Sequence, residues 1–157
     1  VYHPQSDKSG LSKAAVIYEG IAVILTGKIP STQLAGQLPG FDSEYLAYQP
    51  DMATLAPLSQ LGGAIEIVAI IGTWCPDCHR ELPRFIRVLE AIDNPNIRAS
   101  YIGIDRAKQD PQGLAAAYDF ARIPTFIVRQ DGEEMGRIVE RPEISLERDL
   151  AGILRSA

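Results

Sequence analysis

The sequence predicts an α/β protein built on a mixed four-stranded sheet flanked by helices. Three observations predict it. Residues 65–72 form a nearly continuous run of β-branched and other apolar side chains, as in a strand buried on both faces. Residues 76–92 then carry Leu82, Phe85, Ile86, Leu89 and Ile92 on one helical stripe. Further along, two short apolar runs flank Asp131-Gly132, the dipeptide of a tight hairpin.

Taken in order, residues 1–10 are polar and read as a mobile terminus. Residues 11–26 are expected to form a helix capped by Ser12 and ended by Gly27, although 21–25 fits a strand equally well. Residues 27–40 mix Gly, Pro, Ser, Thr and Gln and read as a loop. A short helix is expected over 41–49, capped by Asp42 or Ser43, with Phe41, Tyr45 and Tyr48 as anchors and Pro50 as its stop. Asp51 then caps a second helix through Leu61, with Leu55 and Leu58 on its apolar side.

After the strand at 65–72 and the helix at 76–92, Asn94-Pro95-Asn96 is a turn and 97–104 a second strand. An alanine-rich helix is expected over 111–121, with Pro111 in its first turn. Strands at 124–129 and 135–140 and a closing amphipathic helix at 145–154 complete the order β-α-β-α-β-β-α. The first βαβ unit demands a parallel pair and the last hairpin an antiparallel one. Residues 1–50 read as a largely helical extension packed on a domain spanning 51–157.

The net charge is −5 and the basic residues are scattered among acids, which argues against a nucleic-acid footprint. The apolar run from Ala14 to Leu25 is too short to span a bilayer and carries Glu19. It also lacks the small-residue cleavage pattern of a leader. A cytoplasmic location is expected, with an extracytoplasmic space after leader removal as the alternative, and a monomer is expected.

The chemistry converges on Trp74-Cys75-Pro76-Asp77-Cys78, which holds both cysteines of the chain. Two cysteines at this spacing make a poor structural staple, because so short a loop constrains the unfolded chain little. Placed between a strand and a helix, they read as a redox pair. Cys75 is the expected nucleophile, since a helix N-terminus favours a thiolate. Cys78 is the expected resolving thiol. Apart from this pair no cofactor is expected, and metal is discounted because Cys75, Cys78 and His79 offer too few ligands for a closed zinc site.

Trp-Cys-x-x-Cys after the first strand and Ile123-Pro124-Thr125 opening the third resemble the thioredoxin family, as do Pro83 and Asp131-Gly132. The wider W-C-x-x-C-x-x-E-x-P pattern from Trp74 to Pro83 is similar to the reductases of the TlpA and ResA type. W-C-P-D-C and the tail around Gly136–Pro142 are similar to a subgroup of small bacterial thioredoxin-like proteins. The resemblance covers about residues 60–155. It implies a thioredoxin fold, a cis peptide bond at Ile123-Pro124 beside the cysteines, and disulfide-containing protein substrates fed by an upstream electron donor. It also implies that Trp74, Ile123, Pro124 and Thr125 meet the substrate.

Three departures stand out. Family members carry a buried Asp where this chain has Ala69, and its partner Lys falls near Tyr101. The Gly that borders their active site falls at Glu140. Glu81, one helical turn after Cys78, is therefore a candidate proton acceptor for Cys78, against the plainer reading of a solvated helix charge. Glu66 is a further candidate, or simply the exposed start of its strand. Asp77 opposes a thiolate at Cys75 and so favours electron donation. His79 offsets that charge if protonated, or is only solvated. Pro76 tunes the pair or merely starts the helix. Arg137, Glu140 and Arg141 form a charged rim or a solvated hairpin. The reading is a dithiol–disulfide oxidoreductase working as a reductant. The alternatives are an oxidase or isomerase on the same scaffold, a metal-binding module, and a redox-silent interaction domain.

Overall fold

The computed structural model describes residues 15–19 and 22–155. Its elements are β1 (Ala15–Glu19), β2 (Ala22–Ile29), α1 (Ser31–Gln37), α2 (Phe41–Ala47) and α3 (Met52–Leu55), which runs into a 3-10 turn at Ala56–Gln60. Then follow β3 (Ile65–Ile71), α4 (Pro76–Ile92), β4 (Ile97–Gly103), a 3-10 turn at Ala115–Tyr118, β5 (Thr125–Gln130), β6 (Glu133–Val139) and α5 (Leu146–Arg155). The strands lie in the order β1-β2-β4-β3-β5-β6. Only β3 and β4 run parallel; every other neighbouring pair is antiparallel. The expected four strands are β3 to β6, and β2 and β1 extend their sheet at the β4 edge.

That extension corrects the reading of the first 50 residues. Within 11–26, the described residues form strand rather than helix, and the expected mobile terminus at 1–10 lies outside the described residues. The cause is tertiary. Gly27 pairs with Gly103, and a Cβ on Gly103 would lie 2.2 Å from the Leu25 carbonyl oxygen. Gly103 lets β2 approach β4, and Leu25 and Ile29 are then buried. The expected loop at 27–40 contains the end of β2 and all of α1. Leu34 and Leu38, four apart, bury the inner side of that helix.

α2 begins after Gly40, which sits at φ 71°, and neither Asp42 nor Ser43 caps it. Its anchors do reach the core: Phe41 is buried and stacks on Tyr45. Asp51 caps α3, accepting from the Thr54 amide at 3.3 Å, as expected. α5 is tied to this region by Glu147, a carboxylate only 3% exposed. It accepts from the Tyr48 hydroxyl and from the Asp51 amide at 3.0 Å. Sequence reasoning passed over Glu147, because a Glu in the first turn of an amphipathic helix looks like an exposed dipole partner.

The expected helix at 111–121 is reduced to the single turn at Ala115–Tyr118. Gly113 and Asp119 hold positive φ, and Asp110 accepts from the Leu114 and Ala115 amides at 2.9 Å each. Ala115 is buried while Ala116 and Ala117 are exposed, so no apolar stripe draws a helix onto the sheet. Nor does the topology need one. β5 runs antiparallel to β3, so it starts at the edge where β4 ends.

The core beneath the sheet is centred on Phe85 of α4. Its ring stacks on Phe126 at 4.4 Å and meets Tyr101 edge-on at 6.4 Å. Tyr101 and Phe126 are the register partners of Ala69 on either side. The small side chain of Ala69 thus lies in a row between two aromatic rings that both pack on Phe85. Where the resembling family carries a buried acid, this chain has aromatic packing.

Candidate active site

Cys75 occupies the N-cap of α4 in extended conformation (φ −92°, ψ 121°), and Pro76 is its first helical residue. A proline costs nothing there, since that amide has no partner within the helix. Cys75 is 8% exposed and Cys78 fully buried, and both are free thiols. The Cys75 thiol is lowered to about 6. The hydrogen bond from Cys78 is the largest cause, and the backbone N–H groups of Asp77 and Cys78 add to it. Burial and the Asp77 carboxylate push the other way and are outweighed. Burial drives the Cys78 thiol far upward, although the Gly72 amide donates to its sulfur at 3.4 Å. The pair is therefore asymmetric: one thiol is poised to ionise and the other holds its proton.

The loop before the helix is held from three sides. Trp74 Nε1 donates to the Ile104 carbonyl at 2.9 Å, and the Arg106 guanidinium lies 5.2 Å from its ring centroid. A Cβ on Gly72 would lie 2.7 Å from Trp74 Cε2 and 2.9 Å from Ile123 Cδ1. Gly72 thus lets the indole and the Ile123 side chain close over the strand end. His79 Nε2 is 2.6 Å from the Thr73 carbonyl oxygen. A carbonyl only accepts, so Nε2 carries the proton and the ring is bound to the loop rather than merely solvated. Thr73 Oγ1 accepts from the Leu25 amide at 3.3 Å, which links the loop to β2.

The Ile123–Pro124 peptide bond is cis. Ile123 is buried against the same loop through Gly72. The Pro124 carbonyl accepts from the Glu140 amide at 2.7 Å, and Thr125 Oγ1 donates to the Arg122 carbonyl. Cys75, Cys78, Trp74 and Ile123 are thus gathered around Gly72, with Pro124 and Thr125 following directly in the chain. Glu140 stands at φ 64°, a conformation that favours glycine, and pairs with Arg122 at 3.2 Å.

Other expected residues fall elsewhere. Glu81 is 2% exposed, which excludes the reading of a solvated charge. Its carboxylate accepts from Arg80 Nε at 2.5 Å. Glu66 is exposed, in register with Arg98 and Arg129. Arg137 pairs with Glu134 at 2.7 Å and donates to the Tyr118 and Asp119 carbonyls, fastening the 3-10 turn to β6. Among the described residues no group of three or more His, Cys, Asp or Glu side chains is placed to hold a metal ion. Nor is any helix among them long and apolar enough to cross a membrane.

Comparison with known proteins agrees with this architecture. A family profile described as thioredoxin matches residues 43–149, more than half of the chain. A thioredoxin-like protein of Acanthamoeba polyphaga mimivirus is 29% identical over 86 residues, covering 55% of this chain and 60% of the viral protein. A Dictyostelium discoideum protein named as a thioredoxin is 27% identical over 90 residues, covering 57% and 82%. These relatives are viral and eukaryotic, whereas the tail pattern had pointed to a bacterial subgroup. Among solved structures, a Pseudomonas aeruginosa protein of unknown function superimposes with a TM-score of 0.57 at 21% identity. That match covers 81% of this chain and 87% of the other. An HIV epitope scaffold gives a TM-score of 0.61 at 21% identity, covering 83% and 94%.

Proposed function

Because the chain belongs to the thioredoxin family, we propose that it is a thiol–disulfide oxidoreductase that reduces protein disulfides through Cys75 and Cys78. The observation that carries the reading is the asymmetry of the pair. Cys75 sits at a helix N-cap with its thiol lowered to about 6, beside a fully buried Cys78 whose thiol is raised.

In the proposed reaction the Cys75 thiolate attacks one sulfur of a target disulfide. A mixed disulfide forms, and the other target sulfur leaves as a thiolate that takes up a proton. Cys78 then loses its proton and attacks the Cys75 sulfur. The second target thiol is released, and two electrons have passed to the target. The product is the Cys75–Cys78 disulfide, which an upstream dithiol donor returns to the reduced state. In this reading the backbone beside the cis Ile123–Pro124 bond pairs with the extended target, and Trp74 supplies a flat face beside it.

The test is disulfide reduction of insulin by the reduced protein. Turnover is expected, and Cys75→Ser is expected to abolish it. An inactive wild-type protein, or an active Cys75→Ser variant, refutes the proposal. One observation favours the second reading, an oxidase or isomerase. A low Cys75 pKa stabilises the dithiol and so raises the reduction potential. Asp77 opposes this. A potential near the roughly −270 mV of thioredoxins supports the reductant, and one nearer the roughly −120 mV of strong oxidants overturns that direction.

A further inference from the structure

Asp77 stands between the two cysteines, and its charge raises the pKa of both. It does not stand alone. Asp77 Oδ1 accepts from Arg80 Nη1 at 2.8 Å, and Nε of the same guanidinium donates to Glu81 at 2.5 Å. The Asp77 side chain is 36% exposed and that of Glu81 only 3%. One guanidinium therefore bridges a carboxylate at the mouth of the site and one sunk beneath it. Residues 80 and 81 are neighbours in sequence and do not face each other on a helix. Arg80 meets both acids only by folding back along α4, where its Nη2 is enclosed without a hydrogen-bond partner. A guanidinium held there has lost its freedom to swing into solvent, and a buried carboxylate is what holds it.

Resting on the oxidoreductase reading above, we propose that Glu81 is a positioning residue: it holds Arg80 against Asp77, so that the negative charge beside Cys75 is offset and the attacking thiolate persists. This role differs from proton acceptance, because it acts on Cys75 through Arg80 and not on Cys78. Of the other titratable and charged groups, Tyr48 feels the Glu81 charge but donates its hydroxyl proton to Glu147, and Arg84 pairs with Glu44 at 3.1 Å. His79 is bound to the Thr73 carbonyl, Arg106 stacks on Trp74, and Glu140 pairs with Arg122.

The two roles give opposite signs. Deleting the Glu81 charge acts through space to lower the Cys75 pKa. Releasing Arg80 from Asp77 raises it. The experiment titrates Cys75 by the pH dependence of iodoacetamide alkylation in the reduced wild-type protein, Glu81→Gln, Arg80→Gln and the double variant. The expected result is a higher Cys75 pKa in Glu81→Gln, with alkylation at pH 6 slowed roughly threefold, the scale of one partly exposed ion pair. Arg80→Gln is expected to do the same, and Glu81→Gln to add nothing in that background. A fall or no change in Glu81→Gln overturns the proposal, as does a full further rise in the Arg80→Gln background. Glu81→Asp keeps the charge but shortens the reach, so it is expected to reproduce the rise even if Glu81→Gln does not fold. Alkylation uses no disulfide substrate, so this proposal can fail while the insulin result stands, and the reverse.

Discussion

Replacing Cys78 with alanine removes the largest contributor to the low pKa of Cys75. The Cys78 thiol donates to the Cys75 sulfur, and the backbone N–H groups of Asp77 and Cys78 remain when it is gone. A hydrogen bond to a charged group contributes about 1.5–3 kcal/mol. At about 1.36 kcal/mol per tenfold change in acidity, that loss carries Cys75 from about 6 to about 7 or 8. Serine at position 78 keeps an O–H donor, so Cys78→Ser is expected to stay near the wild-type value. The assay is alkylation rate against pH, in which Cys78 of the wild-type protein stays silent because it is buried. At pH 7 a thiol titrating at about 6 is about 90% ionised, against about 1% for one at 9. Part of that gain is lost, because nucleophilicity falls as acidity rises, so the wild-type rate exceeds that of an unperturbed thiol only severalfold. The midpoint therefore tests the reasoning better than the rate. An alanine variant that titrates with the wild type, or a serine variant that rises as far as alanine, would refute the assignment of Cys78 as donor.

Two further outcomes concern stability. Phe85→Ala leaves a cavity between Tyr101 and Phe126 and is expected to cost about 3–5 kcal/mol in denaturant unfolding; a cost below about 1 kcal/mol would show that this ring is not the centre of the core. Glu140→Gly relieves the left-handed conformation at φ 64°, worth about 1–2 kcal/mol, and gives up a surface ion pair worth at most about 1 kcal/mol. Net stabilisation of up to about 2 kcal/mol is expected, seen as a rise in Tm, and a clear fall in Tm would contradict it.

The strongly periodic part of the chain was legible because its signals are local. The apolar run at β3, the stripe of α4 and the Asp131-Gly132 turn each bias their own segment, and together they fix a parallel pair and a hairpin. Trp74, Cys75, Cys78 and Ile123 also came together as the motifs implied, since a strand end, a helix start and a neighbouring strand meet at one sheet edge. The first 50 residues were not legible in the same way. The run at 21–25 suits helix or strand alike, and what decides between them is Gly27 lying against Gly103, 76 positions further on. The alanines at 115–117 favour helix locally, yet nothing on the sheet receives them.

The charges divide the same way. The sequence by itself determined that an acid lies between the cysteines, and which side chains stand near it along α4. Whether that acid acts as a bare charge depends on where Arg80 and Glu81 point, and spacing alone does not set that. In the sequence Glu147 looks like an ordinary helix-surface acid and Glu81 is open to either reading, and both are buried and partnered in the fold. A carboxylate stays charged inside a protein only where tertiary structure brings donors to it. Those donors come from the Arg80 guanidinium in one case and from Tyr48 and Asp51 in the other, and only the folded chain delivers them.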